Sequence, residues 1–246
     1  MIIDSHVHLK HGDAKRTEYS PKTIVKIMNE VGIDKSIVFA MSTTTKHSIE
    51  MAKEATEKFP EQLIPYVYAL PNYERAVLKE IEEAILKFGF KGIKIHLGEC
   101  TLAEYVIDPV IEIAGKYNVP CLIDCLGRDE DIKRIAKKFP ETKIIIAHLG
   151  KYLCTDNTLI DKFISIAENY NNIYLDISGV VIPYKIEEAV HRISSERVIF
   201  GTDGPHKAPD LVRYAQAELN KIKMLNLTRD EKDAVLGGSI VKLLRI

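Results

Sequence analysis

The chain alternates short runs of β-branched and other apolar residues with longer stretches whose apolar positions recur at helical spacing. Eight of the short runs predict strands, at residues 2–8, 35–41, 63–70, 92–96, 120–124, 143–148, 173–178 and 197–203. The stretches between them predict helices, among them residues 21–31, 76–88, 156–170 and 210–225, with a last helix at about 229–244. Strand and helix therefore alternate along the whole chain.

Several predicted strands, such as residues 37–40 and 144–147, are apolar on both faces, which is typical of parallel strands covered on both sides. Eight strand–helix units in 246 residues predict one (β/α)8 TIM barrel, an α/β fold, as a single domain over residues 1–246. A doubly wound sheet is the alternative. It more often has six strands and a glycine-rich phosphate turn, and neither GxGxxG nor GxxxxGK[ST] occurs in this sequence.

Composition narrows the classes of function. Apolar residues make up 46% of the chain and charged residues 28%, as in soluble globular proteins. The formal net charge of −1 gives no electrostatic reason to expect nucleic acid or a membrane as a partner. No apolar run reaches the roughly 18–20 residues of a membrane span, and a predicted strand begins at residue 2 without a signal-peptide pattern. We therefore expect a cytoplasmic protein that acts on a small molecule.

Titratable residues fall where a TIM barrel carries its chemistry, at the C-terminal ends of the strands. In the first predicted strand, the period of two places Asp4, His6 and His8 on one face, which we expect to point into the barrel. Other predicted strands end near His96, Asp124, His148 and Asp203. A His-x-His pair can converge on one cation, and a carboxylate can complete a catalytic site with an open position. The pattern favours a metal site over histidines and carboxylates that only hydrogen-bond to each other.

Six segments in chain order carry a family resemblance: residues 3–8 (IDSHVH), 32–39 (GIDKSIVF), 89–96 (GFKGIKIH), 146–150 (IAHLG), 173–179 (IYLDISG) and 200–205 (FGTDGP). With them the chain resembles the amidohydrolase superfamily, specifically the amidohydrolase-related group that contains aminocarboxymuconate-semialdehyde decarboxylase. Residues 237–240 (GGSI) are similar to the family's GxNA helix, with Ser239 in place of the usual Asn.

The resemblance implies roles for particular residues. His6, His8 and Asp203 match the family's metal ligands, and His148 matches the histidine that polarises the substrate or steers the transition state. Lys94 and His96 match a strand-4 signature whose role varies across the family. We expect the contacts with the substrate to come from Lys94, His96, Ser178 and His206.

The fifth strand departs from the family pattern, which has a metal-binding histidine where this chain has Asp124. A carboxylate can bind zinc at about 2.0–2.2 Å, although it is shorter than imidazole. A second carboxylate would shift the preference towards harder ions such as Mn²⁺. We predict one divalent ion, zinc first and manganese as the alternative, with Asp124 as a ligand. In the alternatives, His96 or His148 takes its place, Asp124 only orients one of these histidines, or the metal is lost.

Three functions fit this pattern. The first is hydrolysis of an amide, ester or lactone by a metal-activated water, with Asp203 as general base and then acid and His148 stabilising the oxyanion. The second is non-oxidative decarboxylation of a small carboxylic acid on the same site. The third is a binding or scaffold protein whose metal site has decayed. We favour hydrolysis, because more of the superfamily performs it.

Two further expectations concern the surroundings of the site. Basic residues on the predicted loops, among them Lys10, His11, Lys46 and Arg128, would hold a small anionic substrate if they ring the mouth, although they can equally be ordinary loop charges. The four cysteines match neither a disulfide framework nor paired zinc knuckles, so we expect buried packing residues. The resemblance also makes a homodimer plausible.

Overall fold

The computed structural model describes residues 1–75 and 77–246 and confirms all eight predicted strands. They are β1 (Ile3–Lys10), β2 (Lys35–Ala40), β3 (Leu63–Tyr68), β4 (Gly92–His96), β5 (Cys121–Asp124), β6 (Ile144–Ile146), β7 (Ile173–Asp176) and β8 (Val198–Ile199). Each strand pairs in parallel with the next. The chain beyond β8 returns to β1, because the Ser5 N–H donates to Phe200 O (3.0 Å) and the His8 N–H to Gly204 O (2.7 Å). The fold is the predicted TIM barrel.

Helices surround the sheet. They are α1 (Pro21–Val31), α2 (Thr45–Lys58), α3 (Leu78–Phe88), α4 (Glu104–Tyr117), α5 (Asp129–Lys138), α6 (Asn157–Asn169), α7 (Pro183–Ile193), α8 (Leu211–Met224), α9 (Arg229–Asp233) and α10 (Ser239–Leu244). The Ser20, Asp156 and Asp210 side chains cap α1, α6 and α8 by accepting from backbone N–H groups of the first turn. The third helix was predicted to begin at residue 76, which lies outside the described residues. None of the described helices has the length and apolar character needed to cross a membrane.

The predicted last helix is interrupted. A π-helical turn over Ala234–Gly238 separates α9 from α10. At this turn the chain passes so close to the N-terminus that a Cβ on Gly237 would lie 2.3 Å from Met1 O. The glycine therefore lets the end of the chain close the bottom of the barrel.

Apolar side chains fill the lower part of the barrel, while polar ones occupy its upper end. The inner cluster includes Ile3, Ile37, Tyr66, Leu122 and Ile199, all nearly or fully buried. A second apolar layer lies between the strands and the helices. The C-terminal ends of the strands carry the buried histidines and carboxylates, so the candidate site lies at the mouth of the barrel.

The prediction that the Asp4 side chain points into the barrel was wrong. A β-bulge between Asp4 and Val7 places three residue steps of β1 against two of β2, which moves Asp4 to the outer side while His6 and His8 point into the mouth. The Asp4 carboxylate instead accepts from the Thr202 N–H (2.9 Å) and hydroxyl (2.6 Å). Asp4 therefore ties the segment after β8 to β1.

Several strands end earlier than predicted, and two of these ends bear on the site. β6 stops at Ile146 and β8 at Ile199, so His148 and Asp203 lie in the segments that follow. His148 (φ 62°) and Asp203 (φ 60°) both adopt the left-handed backbone conformation that residues other than glycine rarely take. Such strain is typical of functional sites, where the surrounding structure holds the backbone in place.

Candidate metal centre

Three ligand atoms converge at the mouth of the barrel. His6 Nε2 lies 3.1 Å and His8 Nε2 2.9 Å from Asp203 Oδ1. All three atoms fall within 4.8 Å of one another, as they would around one ion. The structure thus brings together three of the four predicted metal ligands.

The groups behind His6 favour its role as a ligand. His6 Nδ1 lies 3.2 Å from the Ser178 hydroxyl and 3.5 Å from Asp176 Oδ1, so its proton resides on Nδ1 and the Nε2 lone pair faces Asp203. Metal-binding histidines usually donate their other ring N–H to such a partner. Burial and the charge of Lys94 lower the pKa of His6 to about 4, which keeps the ring neutral as metal binding requires. The residues present fit a divalent ion.

His11 supports the second histidine. Its ring stacks on His8 with 4.4 Å between centroids, and His11 Nε2 donates to Pro205 O at 2.8 Å. Burial, with the neighbouring histidines, lowers the pKa of His11 to about 3. We expected His11 among the positive charges of the rim, but it is a neutral ring that packs against His8.

His148 lies beside the three ligand atoms as a buried cation. Its Nδ1 donates to Ser178 O (2.9 Å), and its Nε2 lies 3.4 Å from Asp124 Oδ2. Burial lowers the pKa of His148, but the hydrogen bond to Asp124 and the charge of Asp203 outweigh it and raise the pKa to about 9. In the metal-free protein His148 is therefore an imidazolium at neutral pH, with Nδ1 bonded to Ser178 O.

Asp124 joins two histidines. Its Oδ2 also lies 3.2 Å from His96 Nε2, and its Oδ1 accepts from the Leu126 N–H at 3.1 Å. Burial opposes ionisation, but the bonds to His148 and His96 hold the pKa of Asp124 well below its usual range. Asp124 does not belong to the trio His6, His8 and Asp203. Its role as a metal ligand remains a prediction.

A second group of possible ligands, His6, His148 and Asp176, lies deeper in the barrel. Its members are fully or almost fully buried, and the Ser178 hydroxyl lies between them and donates to Asp176. Because hydrogen bonds already join these groups, we interpret the cluster as the support of the upper site.

The four residues predicted to contact the substrate differ in their access to the cavity. Lys94 is fully buried with Nζ 3.2 Å from His6 Nε2, and Ser178 is fully buried against His6 and His148. Burial lowers the pKa of Lys94. Nearby carboxylates act in the opposite direction, but they do not outweigh the burial. His96 borders the open cavity, and His206 lies with Nε2 3.5 Å from Asp203 Oδ2.

A cavity of about 380 Å³ opens above these groups. Besides the expected residues, its lining includes Met41, Glu99 and Tyr152, which the sequence did not single out as site residues. Glu99 and Tyr152 lie in loops, where no periodicity indicates the direction of a side chain, and Met41 directly follows β2. Of the described residues that line the cavity, none is lysine or arginine, which favours ordinary loop charges over a basic rim.

The cysteines take the packing role expected of them. All four are free and buried. Burial raises the pKa of Cys100 to about 11 and that of Cys125 to about 12, so these thiols stay protonated and weakly nucleophilic.

Fold and site together define a TIM-barrel enzyme with a candidate metal centre at the C-terminal ends of its strands. Residues 3–246 match the family described as Amidohydrolase, and the chain belongs to that family. The match confirms the resemblance inferred from the sequence and supports the hydrolase function favoured there. No protein of curated function matches the chain by sequence.

Solved structures share the fold at low identity. An amidohydrolase from Burkholderia multivorans with bound zinc is 14% identical, with 100% of this chain and 99% of that one covered and a TM-score of 0.80. The 5-carboxyvanillate decarboxylase of Sphingomonas paucimobilis is 14% identical, with 100% and 99% covered and a TM-score of 0.76. The 4-oxalomesaconate hydratase of Rhodopseudomonas palustris is 17% identical, with 100% and 96% covered and a TM-score of 0.71.

Proposed function

We propose that this enzyme is a metal-dependent hydrolase that cleaves an amide, ester or lactone bond in a small molecule, with His6, His8 and Asp203 holding one divalent ion. The observation that carries the proposal is the convergence of His6 Nε2, His8 Nε2 and Asp203 Oδ1 within 4.8 Å at an open cavity. Zinc suits two imidazoles and a carboxylate with an open position, and the similar B. multivorans structure holds zinc. Manganese is the alternative, favoured if Asp124 becomes a further ligand.

When bound, such an ion supplies a Lewis acid and a water nucleophile at neutral pH. Asp203 then moves the proton. The nearby histidines hold the pKa of Asp203 well below its usual range against the effect of burial, so the carboxylate is ionised and can accept a proton from the nucleophile. Asp203 Oδ2, on the His206 side, can pass that proton to the leaving group.

His148 supplies positive charge beside the reacting carbonyl. Its imidazolium borders the same cavity as His6, His8 and Asp203. A fixed cation there stabilises the negative charge that develops on the carbonyl oxygen. The same charge supports the proposal that the substrate carries an anionic group at the end that reaches His148.

For the remaining predicted residues, we propose two kinds of role. His96 and His206, at or near the cavity, contact the substrate directly. Lys94 and Ser178 are buried and position His6 and His148. Asp124 either joins the metal or orients His96 and His148, and its existing hydrogen bonds favour orientation.

Decarboxylation is the second candidate, and the protonation of His148 favours it. An imidazolium beside the site can deliver a proton to the carbon that loses CO2. A decayed binding protein is the third candidate, and it fits less well because the predicted trio of ligands is intact. We keep a homodimer and a cytoplasmic location as further proposals.

The test is turnover of a panel of N-acyl amino acids, esters and lactones by protein reconstituted with Zn²⁺ or Mn²⁺. We expect hydrolysis of at least one class that is lost with a chelator and absent in Asp203→Asn. Hydrolysis that survives removal of the metal would contradict the proposal. Release of CO2 from carboxylic acids with no hydrolysis would favour the decarboxylase.

A further inference from the structure

Glu99 places a fixed carboxylate in the wall of the cavity. It lies in the loop after β4, and Glu99 Oε1 accepts from the Ser42 hydroxyl (2.5 Å). Glu99 Oε2 accepts from the Ser42 N–H (3.1 Å) and from the Tyr68 hydroxyl. Burial raises the pKa of Glu99, but these bonds outweigh it and lower the pKa, so the group is ionised at neutral pH.

One acceptor position of this carboxylate remains free. A carboxylate offers about four lone-pair positions, and the three bonds above occupy three of them. The fourth is on Oε1, beside Gly12 of the β1–α1 loop. A Cβ on Gly12 would lie only 3.3 Å from this oxygen, so the glycine places no side chain against Oε1, and both residues line the cavity.

The charge of Glu99 is not balanced by its partners. Its three hydrogen-bond donors are neutral groups, and no lysine or arginine is found among the described lining residues. A partly desolvated carboxylate gains most from a cationic N–H donor, because charge-assisted hydrogen bonds are about twice as strong as neutral ones. The lining of the cavity therefore includes the candidate metal ligands, His148 and an ionised carboxylate whose hydrogen-bond donors are neutral.

We propose that Glu99 is a specificity-determining residue, which binds an ammonium or similar N–H donor group at the end of the substrate remote from the bond that is cleaved. This assignment rests on the proposed function, since the metal centre must hold the reacting end. The substrate class is then a small amino-substituted acid derivative, with a carbonyl at the metal centre and an amine at Glu99.

Hydroxamates with a variable tail test this assignment without turnover. A hydroxamate group anchors at a zinc site, and the tail can carry an ω-amino or an ω-carboxylate group on two to five methylenes. Titration calorimetry of the zinc-loaded protein gives the affinities of the amino and the carboxylate compound at each tail length. We expect the amino compound of the best length to bind about tenfold more tightly than its carboxylate partner, and Glu99→Gln to remove this preference.

Ser42→Ala is the matched control, because it removes a donor to Glu99 but keeps the charge. If Glu99 only anchors its loop, Ser42→Ala and Glu99→Gln will have the same effect on the two tails. Glu99→Asp adds a second readout, since the shorter side chain should shift the best tail to about one methylene longer. Equal affinity for both tails, or a preference that survives in Glu99→Gln, would overturn the assignment. Failure of every hydroxamate to bind would overturn the metal centre and this assignment with it.

Discussion

At the scale of single residues, the position of each histidine proton decides what the ring can do. His6 donates through Nδ1 and so offers Nε2 to a metal, whereas His148 donates through both nitrogens. His96 Nδ1 accepts from the Gly98 N–H, so its proton is on Nε2 and faces Asp124. Three histidines from β1, β4 and the segment after β6 therefore take three different roles.

These assignments predict that His148→Ala keeps the metal but loses turnover. Removing an oxyanion-stabilising donor typically costs about 3–4 kcal/mol of transition-state stabilisation, so kcat should fall by roughly two to three orders of magnitude. Elemental analysis and kinetics on the same preparation measure both effects. His191→Ala, at an exposed position of α7, is the control and should change neither. Loss of the metal in His148→Ala would show that His148 is a ligand.

Asp124 can be tested with a pair of substitutions. If Asp124 is a ligand, Asp124→Ala should weaken metal affinity severely and Asp124→His should restore it with a shift towards Zn²⁺. If it only orients His96 and His148, Asp124→Ala should cost about 10–100-fold in metal affinity or activity. A metal-bound structure with the Asp124 carboxylate well beyond about 2.5 Å from the ion would contradict ligation.

The buried pair of His148 and Asp124 also predicts a pH dependence of stability. The folded-state pKa of His148, about 9, lies above the ordinary histidine value of 6.5. Its stabilising contribution is therefore complete below about pH 6.5 and is lost as the pH rises through about 9. Urea unfolding of the metal-free protein should show a fall in the free energy of unfolding between neutral and alkaline pH that is smaller in His148→Gln. The same fall in both proteins would contradict the assignment.

At the scale of elements, the regular segments were predictable and the irregular ones were not. The sequence predicts the bounds of β4 and α1 correctly, because periodicity, proline and capping residues act locally. It misses the bulge in β1 and the early ends of β6 and β8. There, contacts between distant segments, such as Asp4 with Thr202, decide the path of the backbone.

Packing within the barrel predicts the effect of a substitution in β4. A Cβ on Gly92 would lie 2.3–2.5 Å from three ring atoms of Tyr66, a fully buried side chain of the neighbouring strand. Gly92→Ala should therefore lower the free energy of unfolding by about 1–3 kcal/mol, as overpacked cores do. Urea denaturation measures it. Gly92→Ala together with Tyr66→Phe should remain destabilised, because the clash involves ring atoms and not the hydroxyl.

At the scale of the whole molecule, the barrel explains why residues from both ends of the sequence form one site. Closure between β1 and the segment after β8 places His6 and His8 beside Asp203. The predicted strand order brings these two ends of the sequence together, and the family resemblance implied His6, His8 and Asp203 as the ligands. The contacts of Asp124 and Glu99 did not, because they depend on loop paths and on which partner each carboxylate finds in three dimensions.

The exposed apolar side chains bear on the oligomeric state. Tyr73, Tyr105, Leu126, Leu153 and Tyr184 are 44–73% exposed in loops or first helical turns at the C-terminal face, whereas others, such as Leu86 and Met224, lie near the far ends of helices. Exposed apolar groups on one face often mark a protein interface. We expect sedimentation equilibrium to give about twice the single-chain mass of 27.8 kDa. A single-chain mass at all concentrations would rule out the homodimer.

The metal content of the purified protein tests the central claim most directly. We predict about one divalent ion per chain, either co-purified or taken up from Zn²⁺ or Mn²⁺, because two imidazoles and a carboxylate converge at an open position. His6→Ala and His8→Ala should abolish it, whereas Ser42→Ala should leave it unchanged. A protein that carries no metal and takes up none from an excess of either ion would contradict the account.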